Sequence, residues 1–381
     1  MKKYIKNGFV LQKNETGWDF NRKNILISDG LIESITEANT SVINNDYEVI
    51  DAFDNYIIPS FINAHYHSHD NFGRGIGLEQ PLELWTYHPA AFRENLTPEE
   101  AYISTLIGCV DLISTGCTGV IDQVRFSNEN QIDSVLAVVE AYHTSGLRAI
   151  IVPVLGDLPI EETLPLTEEE KLLLKTDARN LLLPPEEQLD RVKYLIKKIQ
   201  EKQYTNIRIG IGPSGPQRCS DYLLQLASDL AKENNLIVHM HVLESILQKE
   251  ISSVKYNGSL IKHLDKLGML SENVHLVHMV WATDEELEIV ANKKCSIIYN
   301  PISNVFLGSG LAPIHRMRKL NIPIALGTDD ICCNGSHNFF ETMKWASLLN
   351  HISKKGYNAA TDVPKVDTKY KFNFKSPNTL V

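Results

Sequence analysis

The sequence predicts an α/β protein: a (β/α)8 barrel of TIM type, preceded by a small β-sandwich module and followed by only a short carboxyl tail. Three observations predict it. The first fifty or so residues are short β-rich runs split by turns, with no helical period. From Tyr56 onward, short apolar runs alternate with helical stretches. These runs are apolar on both faces, as strands of a parallel sheet covered by helices must be. About eight such units suffice to close a barrel. An open doubly wound sheet is the alternative, weakened in its dinucleotide-binding form because no G-x-G-x-x-G follows the early strands.

In chain order, Ile25–Ser28 runs into Asp29-Gly30 and then Leu31–Ile35, and a D-G dipeptide between apolar runs predicts a hairpin. Tyr47–Ile50 reads as a further strand. Barrel strands are expected at 57–64, 119–123, 149–155, 207–212, 237–242, 274–280, 296–300 and 322–327. Helices are expected at 98–114, 131–145, 220–233, 260–267, 283–291 and 312–319. Several begin near Asp, Ser or Thr and end near Gly or Asn, as helix caps prefer. The segment Asp157–Gln188 is acidic and leucine-rich, and reads as a lid or an added helical hairpin. The expected organisation is a β module over 1–55, a (β/α)8 barrel over 56–350 and a short tail over 351–381. In the tail, Tyr370–Phe374 alternates like a strand and is the segment available to return to the β module. Few residues remain to pair the module's edges, and an open apolar edge invites association, a homodimer being one such assembly.

Composition narrows the partners. The 381 residues are 43% hydrophobic and 22% charged, which is an ordinary globular balance rather than a disordered one. The formal charge of −10, with no basic block, argues against nucleic acid and anionic membrane surfaces. No apolar run approaches the roughly 18 residues of a membrane span. The starting MKKYIKNGFV is interrupted by Lys6, Asn7 and Gly8, so it does not read as a secretory signal. The six cysteines include no C-x-x-C pair; they read as free thiols and suit a reduced cytoplasm.

The polar residues fall where the strands end, which in such a barrel is the catalytic face. The first barrel strand ends in Asn63-Ala64-His65-Tyr66-His67. Residues i and i+2 share one face of a strand, so His65 and His67 can share one metal ion. The fifth ends in His239-Met240-His241-Val242-Leu243-Glu244, and either histidine offers a ligand. The sixth carries His275 and His278, and the eighth ends in Gly327-Thr328-Asp329-Asp330. Three imidazoles and a carboxylate around an open position make a catalytic divalent site.

These stretches, PSFINAHYH, HMHVLES, LVHMVWATDEEL, NPISNVFLGSGLAPI and ALGTDD, run in order from Pro59 to Asp330. Through them the chain resembles the amidohydrolase superfamily, in the branch of metal-dependent aminohydrolases that includes cytosine, guanine and S-adenosylhomocysteine deaminases and triazine chlorohydrolases. NILISDGLIESI resembles the N-terminal strands of that family. The resemblance implies His65, His67, His241 and Asp329 as metal ligands. It implies Glu244, three residues after His241, as the acid that protonates a ring nitrogen and shuttles protons. It implies His278 as the residue that orients the nucleophile, and Asp329 as a proton acceptor. His239 then becomes a packing or supporting residue. His69, His275, His315 and His337 receive no role and are expected at the surface or behind the site. The fourth strand, Ile207–Ser214, lacks the lysine that bridges two metals in binuclear relatives, so one divalent ion is implied, zinc first and iron second.

The implied reaction is deamination of a small aminated N-heterocycle, purine, pyrimidine or triazine, by hydroxide that the metal supplies. Hydrolytic dechlorination of a triazine is the enzymatic alternative, and a truncated, non-catalytic binding scaffold is the alternative from another class. Trp85, Gln123 and Gln217 lie on expected pocket loops and are the candidate substrate contacts, although Trp85 suits packing equally. Glu244 also has a plainer reading, as a charge favoured at a helix N-terminus. Ser303 and Asn304 are expected to shape the loop after the seventh strand.

Overall fold

The computed structural model describes residues 2–15, 17–40, 46–76, 80–86, 95–159, 163–164, 167, 169 and 182–354. The chain divides into two compact units, with the boundary between Ser60 and Phe61. In the first, β1 (Lys2–Asn14) pairs antiparallel with β2 (Gly17–Ser28), which pairs antiparallel with β3 (Leu31–Glu37). The β2–β3 turn is Asp29-Gly30, with φ of 51° and 80°, the left-handed pair that a tight two-residue hairpin demands. β4 (Glu48–Asp51) and β5 (Tyr56–Ile57) add in parallel to the other side of β1. The described residues of this unit form one five-stranded hydrogen-bonded sheet, in the order β3-β2-β1-β4 with β5 also on β1.

The expected strand over 57–64 is in fact two. Pro59 has no N–H to give a ladder, so the strand breaks there. Tyr56–Ile57 joins β1, and β6 (Phe61–Tyr66) opens the second unit. Six further strands keep close to expectation: β7 (Cys117–Val124), β8 (Arg148–Leu155), β11 (Val238–Val242), β12 (Val274–His278), β13 (Ser296–Tyr299) and β14 (Ile324–Leu326). The fourth barrel strand comes in two pieces, β9 (Ile207–Ile209) and β10 (Gly212–Pro213). All ladders in this unit are parallel, in the order β6-β7-β8-β9/β10 and β11-β12-β13-β14.

Two short parallel bridges, Ile211 with Val238 and Tyr66 with Asp329, join these sheets at both edges and close the eight-stranded barrel. Ala64, Val277 and Ile298 pack together inside it. Its helices run outside. Pro98–Ser114 starts with a capping box in which Thr97 and Glu100 satisfy each other's backbone N–H groups. Gln131–Ser145 ends at Gly146 in the left-handed conformation. Asp284–Asn292 opens with a second capping box, on Thr283 and Glu286.

Helices absent from the expectation occupy Ile246–Lys255, Pro301–Phe306, Ile331–Asn334 and Phe339–Lys354. Part of the Asp157–Gln188 segment lies outside the described residues; its end starts the helix Pro185–Lys202. Tyr370–Phe374 also lies outside them. All six cysteines are free and buried. Among the described residues, no helix is long and apolar enough to cross a membrane.

Candidate active site

One pocket at the strand ends is lined by His67, His241, His278, Glu244 and Asp329, with Trp85, Gln217 and Glu83 around them. His65, His67 and His241 offer ligand atoms that all lie within 4.8 Å of one another, and so do His65, His278 and Asp329. The backbone explains the convergence. β6 delivers His65 and, one step past its end, His67; β11 delivers His241. Asp329 follows β14 with φ of 62°, and its N–H donates to the His65 carbonyl at 3.0 Å. Gly327 permits this approach: a Cβ there would lie 2.7 Å from that of His65 and would meet Asn300 as well.

The three imidazoles share one hydrogen-bond pattern. His67 Nδ1 donates to the Gln123 carbonyl at 2.7 Å, and His241 Nδ1 donates to the Ser214 carbonyl at 2.8 Å. His65 Nδ1 lies 2.8 Å from His239 Nε2. In each case Nδ1 is engaged behind the site and Nε2 is left for the pocket. Buried His65 Nε2 has no hydrogen-bond partner. This is how metal-binding histidines are held, their second nitrogen fixed by a carbonyl or another acceptor.

Charge follows burial. Burial lowers His65 to about 4 and takes His241 well below the ordinary imidazole value, so both are neutral and free to bind a cation. His67 is also opposed by burial but ends raised, because Asp329 lies beside it; Asp329 Oδ1 is 3.4 Å from both His65 Nε2 and His67 Nε2. Burial works against the Asp329 carboxylate, yet His65 and its other imidazole neighbours hold it well below the usual range. Glu244 behaves in the opposite way: burial, then the negative charges of Asp329 and Glu83, push it well up. Its Oε2 is 3.5 Å from His278 Nε2, which is 3.7 Å from Asp329 Oδ2. Glu244 precedes the Ser245 cap of the helix Ile246–Lys255 and is buried, so it is not a solvated helix-end charge.

The candidate substrate contacts separate. Trp85 and Gln217 line the pocket, where Trp85 packs with Leu307, Cys332 and Cys333. Gln123 does not line it; its side chain is fully buried, with Nε2 3.4 Å from the His239 carbonyl, and its own carbonyl orients His67. The histidines without a role are not surface residues as a group. His69 is buried and lines the pocket. His337 is buried between Thr328 Oγ1 and Asn71 Oδ1. His275 is half-buried, and burial lowers it to about 4.

Some contributors escaped sequence reasoning. Ser303 and Asn300 donate to Asp329 Oδ2 at 2.6 and 3.1 Å, and Asn304 Oδ1 accepts from His278 Nδ1 at 2.7 Å. Their i, i+3, i+4 spacing in NPISN was the available signal. Glu83, hydrogen-bonded to Ser245, carried none.

A parallel barrel that gathers imidazoles and carboxylates at its strand ends has the framework of a barrel enzyme, whose active site sits at that face. The chain belongs to the amidohydrolase family, whose model matches residues 56–368. It is 30% identical over 376 residues to a 5'-deoxyadenosine deaminase of Methanocaldococcus jannaschii, covering 98% of this chain and 79% of that protein. It is also 30% identical, over 351 residues, to a 5-methylthioadenosine/S-adenosylhomocysteine deaminase of Thermococcus sibiricus, covering 91% of this chain and 74% of that one. The crystal structure of guanine deaminase from C. acetobutylicum with bound guanine shares the fold, with a TM-score of 0.79 at 22% identity, covering 93% and 80% of the two chains. An adenosine deaminase from Xanthomonas campestris with bound zinc shares it too, with a TM-score of 0.76 at 20% identity, covering 92% and 74%.

Proposed function

We propose that this chain deaminates an aminated N-heterocycle, and that the substrate is a purine nucleoside of the 5'-deoxyadenosine kind. The observation that carries this reading is the adjacency of two sets of groups. His65, His67 and His241 bring their ligand atoms within 4.8 Å of one another, Asp329 lies 3.4 Å from the first two, and Glu244 and His278 stand beside them in the same pocket. The names of the curated relatives supply the substrate class.

The donor set fits one divalent ion. Three imidazoles with Nδ1 already engaged, one carboxylate, and a fourth strand that ends in Gly212-Pro213-Ser214 without a bridging lysine suit a mononuclear site. Zinc is the first choice and iron the second. When bound, the ion supplies a hydroxide nucleophile at neutral pH.

The chain's own groups do the rest. Glu244, kept protonated by burial and by its acidic neighbours, donates a proton to the ring nitrogen next to the amine-bearing carbon. Asp329 accepts a proton from the attacking water. His278, whose Nδ1–H is committed to Asn304, presents Nε2 toward the oxygen as it adds to the carbon. Glu244, now a carboxylate, relays the proton that the leaving amine needs. A C–O bond replaces the C–N bond, and ammonia departs. Leu82, Trp85 and Leu307 supply apolar lining for the planar ring, and the Gln217 amide lines the same pocket.

Turnover of the zinc-loaded protein on 5'-deoxyadenosine, adenosine, guanine, cytosine and a chlorotriazine tests the reading. Ammonia release is expected from the adenosine-type substrates first. Chloride release without ammonia release would replace deamination by dechlorination. Turnover confined to guanine or cytosine would overturn the nucleoside assignment.

A further inference from the structure

We propose that Asn300, Ser303 and Asn304 are positioning residues that give the two oxygens of Asp329, and the two nitrogens of His278, separate duties. The inference rests on the hydrolytic reading above and deepens it.

The local sequence is Asn300-Pro301-Ile302-Ser303-Asn304. Pro301 starts a short helix, Pro301–Phe306, and Asn300 stands at its N-cap position. The Asn300 side chain makes no capping bond, so its amide is available elsewhere. Positions i, i+3 and i+4 of a helical turn lie on one side. Here that side faces Asp329 and His278, and Asn300, Ser303 and Asn304 are all buried.

Their bonds divide cleanly. Ser303 Oγ donates to Asp329 Oδ2 at 2.6 Å, and Asn300 Nδ2 donates to the same oxygen at 3.1 Å. Neither contacts Oδ1, which lies 3.4 Å from His65 Nε2 and from His67 Nε2. Two donors on Oδ2, with the Asp330 N–H on Oδ1 at 2.9 Å, stop the carboxylate from rotating and leave Oδ1 beside the ligand imidazoles. Asn304 Oδ1 lies 2.7 Å from His278 Nδ1. A carbonyl oxygen can only accept, so the proton of neutral His278 is on Nδ1. The bare Nε2 is then turned toward Glu244 Oε2 at 3.5 Å and Asp329 Oδ2 at 3.7 Å. One short helix thus holds a ligand carboxylate and a neighbouring imidazole in register.

A loop-shaping role alone predicts losses that follow thermal stability and ignore which hydrogen bond was removed. The test therefore uses Ser303→Ala, Asn304→Leu and Asn304→Asp in the full chain. Three quantities are measured: zinc retention against a chelator, the 15N shifts of the His278 ring, and kcat with KM. Supporting groups behind metal ligands are typically worth about 10–100-fold in affinity or activity. Ser303→Ala is expected to weaken zinc retention by about that factor. Asn304→Leu should leave zinc retention near wild type, mix the two His278 tautomers and lower kcat by about tenfold or more with little change in KM. Asn304→Asp keeps an acceptor oxygen and should restore both the single tautomer and most of kcat. Wild-type zinc retention in Ser303→Ala overturns the Asp329 half. An unmoved His278 tautomer in Asn304→Leu, or equal loss in the Leu and Asp variants, overturns the His278 half. Zinc retention and ring shifts need no turnover, so a protein that deaminates nothing removes the reaction alone and leaves both halves decided.

Discussion

Glu244 and Asp329 line one pocket, are both buried, and are driven in opposite directions. Burial disfavours either carboxylate. Asp329 lies 3.4 Å from His65 and His67, and its imidazole neighbours hold it well below the usual carboxylate range. Glu244 has a single imidazole at 3.5 Å and the acidic Asp329 and Glu83 nearby, so it stays protonated. Two carboxyl groups pushed apart in this way take different roles, one holding charge and one moving a proton. Glu244→Gln should therefore keep the metal and lose about 10²–10⁴ in turnover, since general acid–base help is typically worth that much. Elemental analysis with steady-state kinetics checks both halves; full activity in the amide variant would sink the proton-shuttle role. His65→Asn and Asp329→Asn should each weaken zinc retention and lower the zinc found from about one ion per chain, because each removes one of the four proposed protein donors. Unchanged zinc in both variants would reject the ligand set, and two ions per wild-type chain would reject the mononuclear site.

Helices and strands bring these groups together, and their close approaches set the tolerance. Gly327, just beyond β14, is needed for space: a Cβ there would sit 2.7 Å from the His65 Cβ and 3.0 Å from the His65 carbonyl oxygen. Gly327→Ala must push β14 away from β6, and overpacking of this kind typically costs about 1–3 kcal/mol. A lower denaturation midpoint together with weakened zinc retention is expected; a variant with wild-type values of both would show that the seam has slack. The sequence revealed the elements whose signals are local. Thr97 and Thr283 mark helix starts by capping boxes, Gly146 marks an end, and Asp29-Gly30 marks a hairpin. It also revealed the H-x-H pair and the histidine and carboxylate at two further strand ends, because strand alternation and strand order place them without any side-chain detail. Elements of four to six residues such as Pro301–Phe306 and Ile331–Asn334 are too short to show a helical period. The break at Pro59 was missed although a proline inside 57–64 is a local signal against one continuous strand, and which sheet each half joins depends on β1. The crowding at Gly327 and the grip of Ser303 on Asp329 join distant parts of the chain or cross between elements, so no local pattern encodes them.

In the barrel as a whole, β6, β7, β8 and the β9/β10 pair form one sheet and β11 to β14 form the other. The seams between them are thin. At one, Tyr66 bridges to Asp329; at the other, Ile211 bridges to Val238, supported by bonds of 2.9 Å from Ile211 N to the Ile237 carbonyl and from His239 N to the Ile211 carbonyl. The proposed ligands come from both sides: His65 and His67 from the first sheet, His241 and Asp329 from the second. A single ion held by all four would tie the two sheets across the barrel mouth, and the unfolded chain offers no such arrangement. Binding to the folded state alone adds RT ln(1 + [L]/Kd), about 4 kcal/mol when free metal is about a thousand times Kd. At roughly 2–4 °C per kcal/mol for a domain of this order of size, chelation should lower the thermal midpoint by about 10 °C, and zinc should restore it. Asp329→Asn, lacking one of the ties, should start lower and respond much less to chelator. Calorimetry of the zinc-loaded, chelated and reloaded protein checks this, with elemental analysis confirming that the metal has left. Complete removal of zinc with an unmoved midpoint would mean that the ion does not join the two sheets, and the four-residue ligand set would then have to be abandoned.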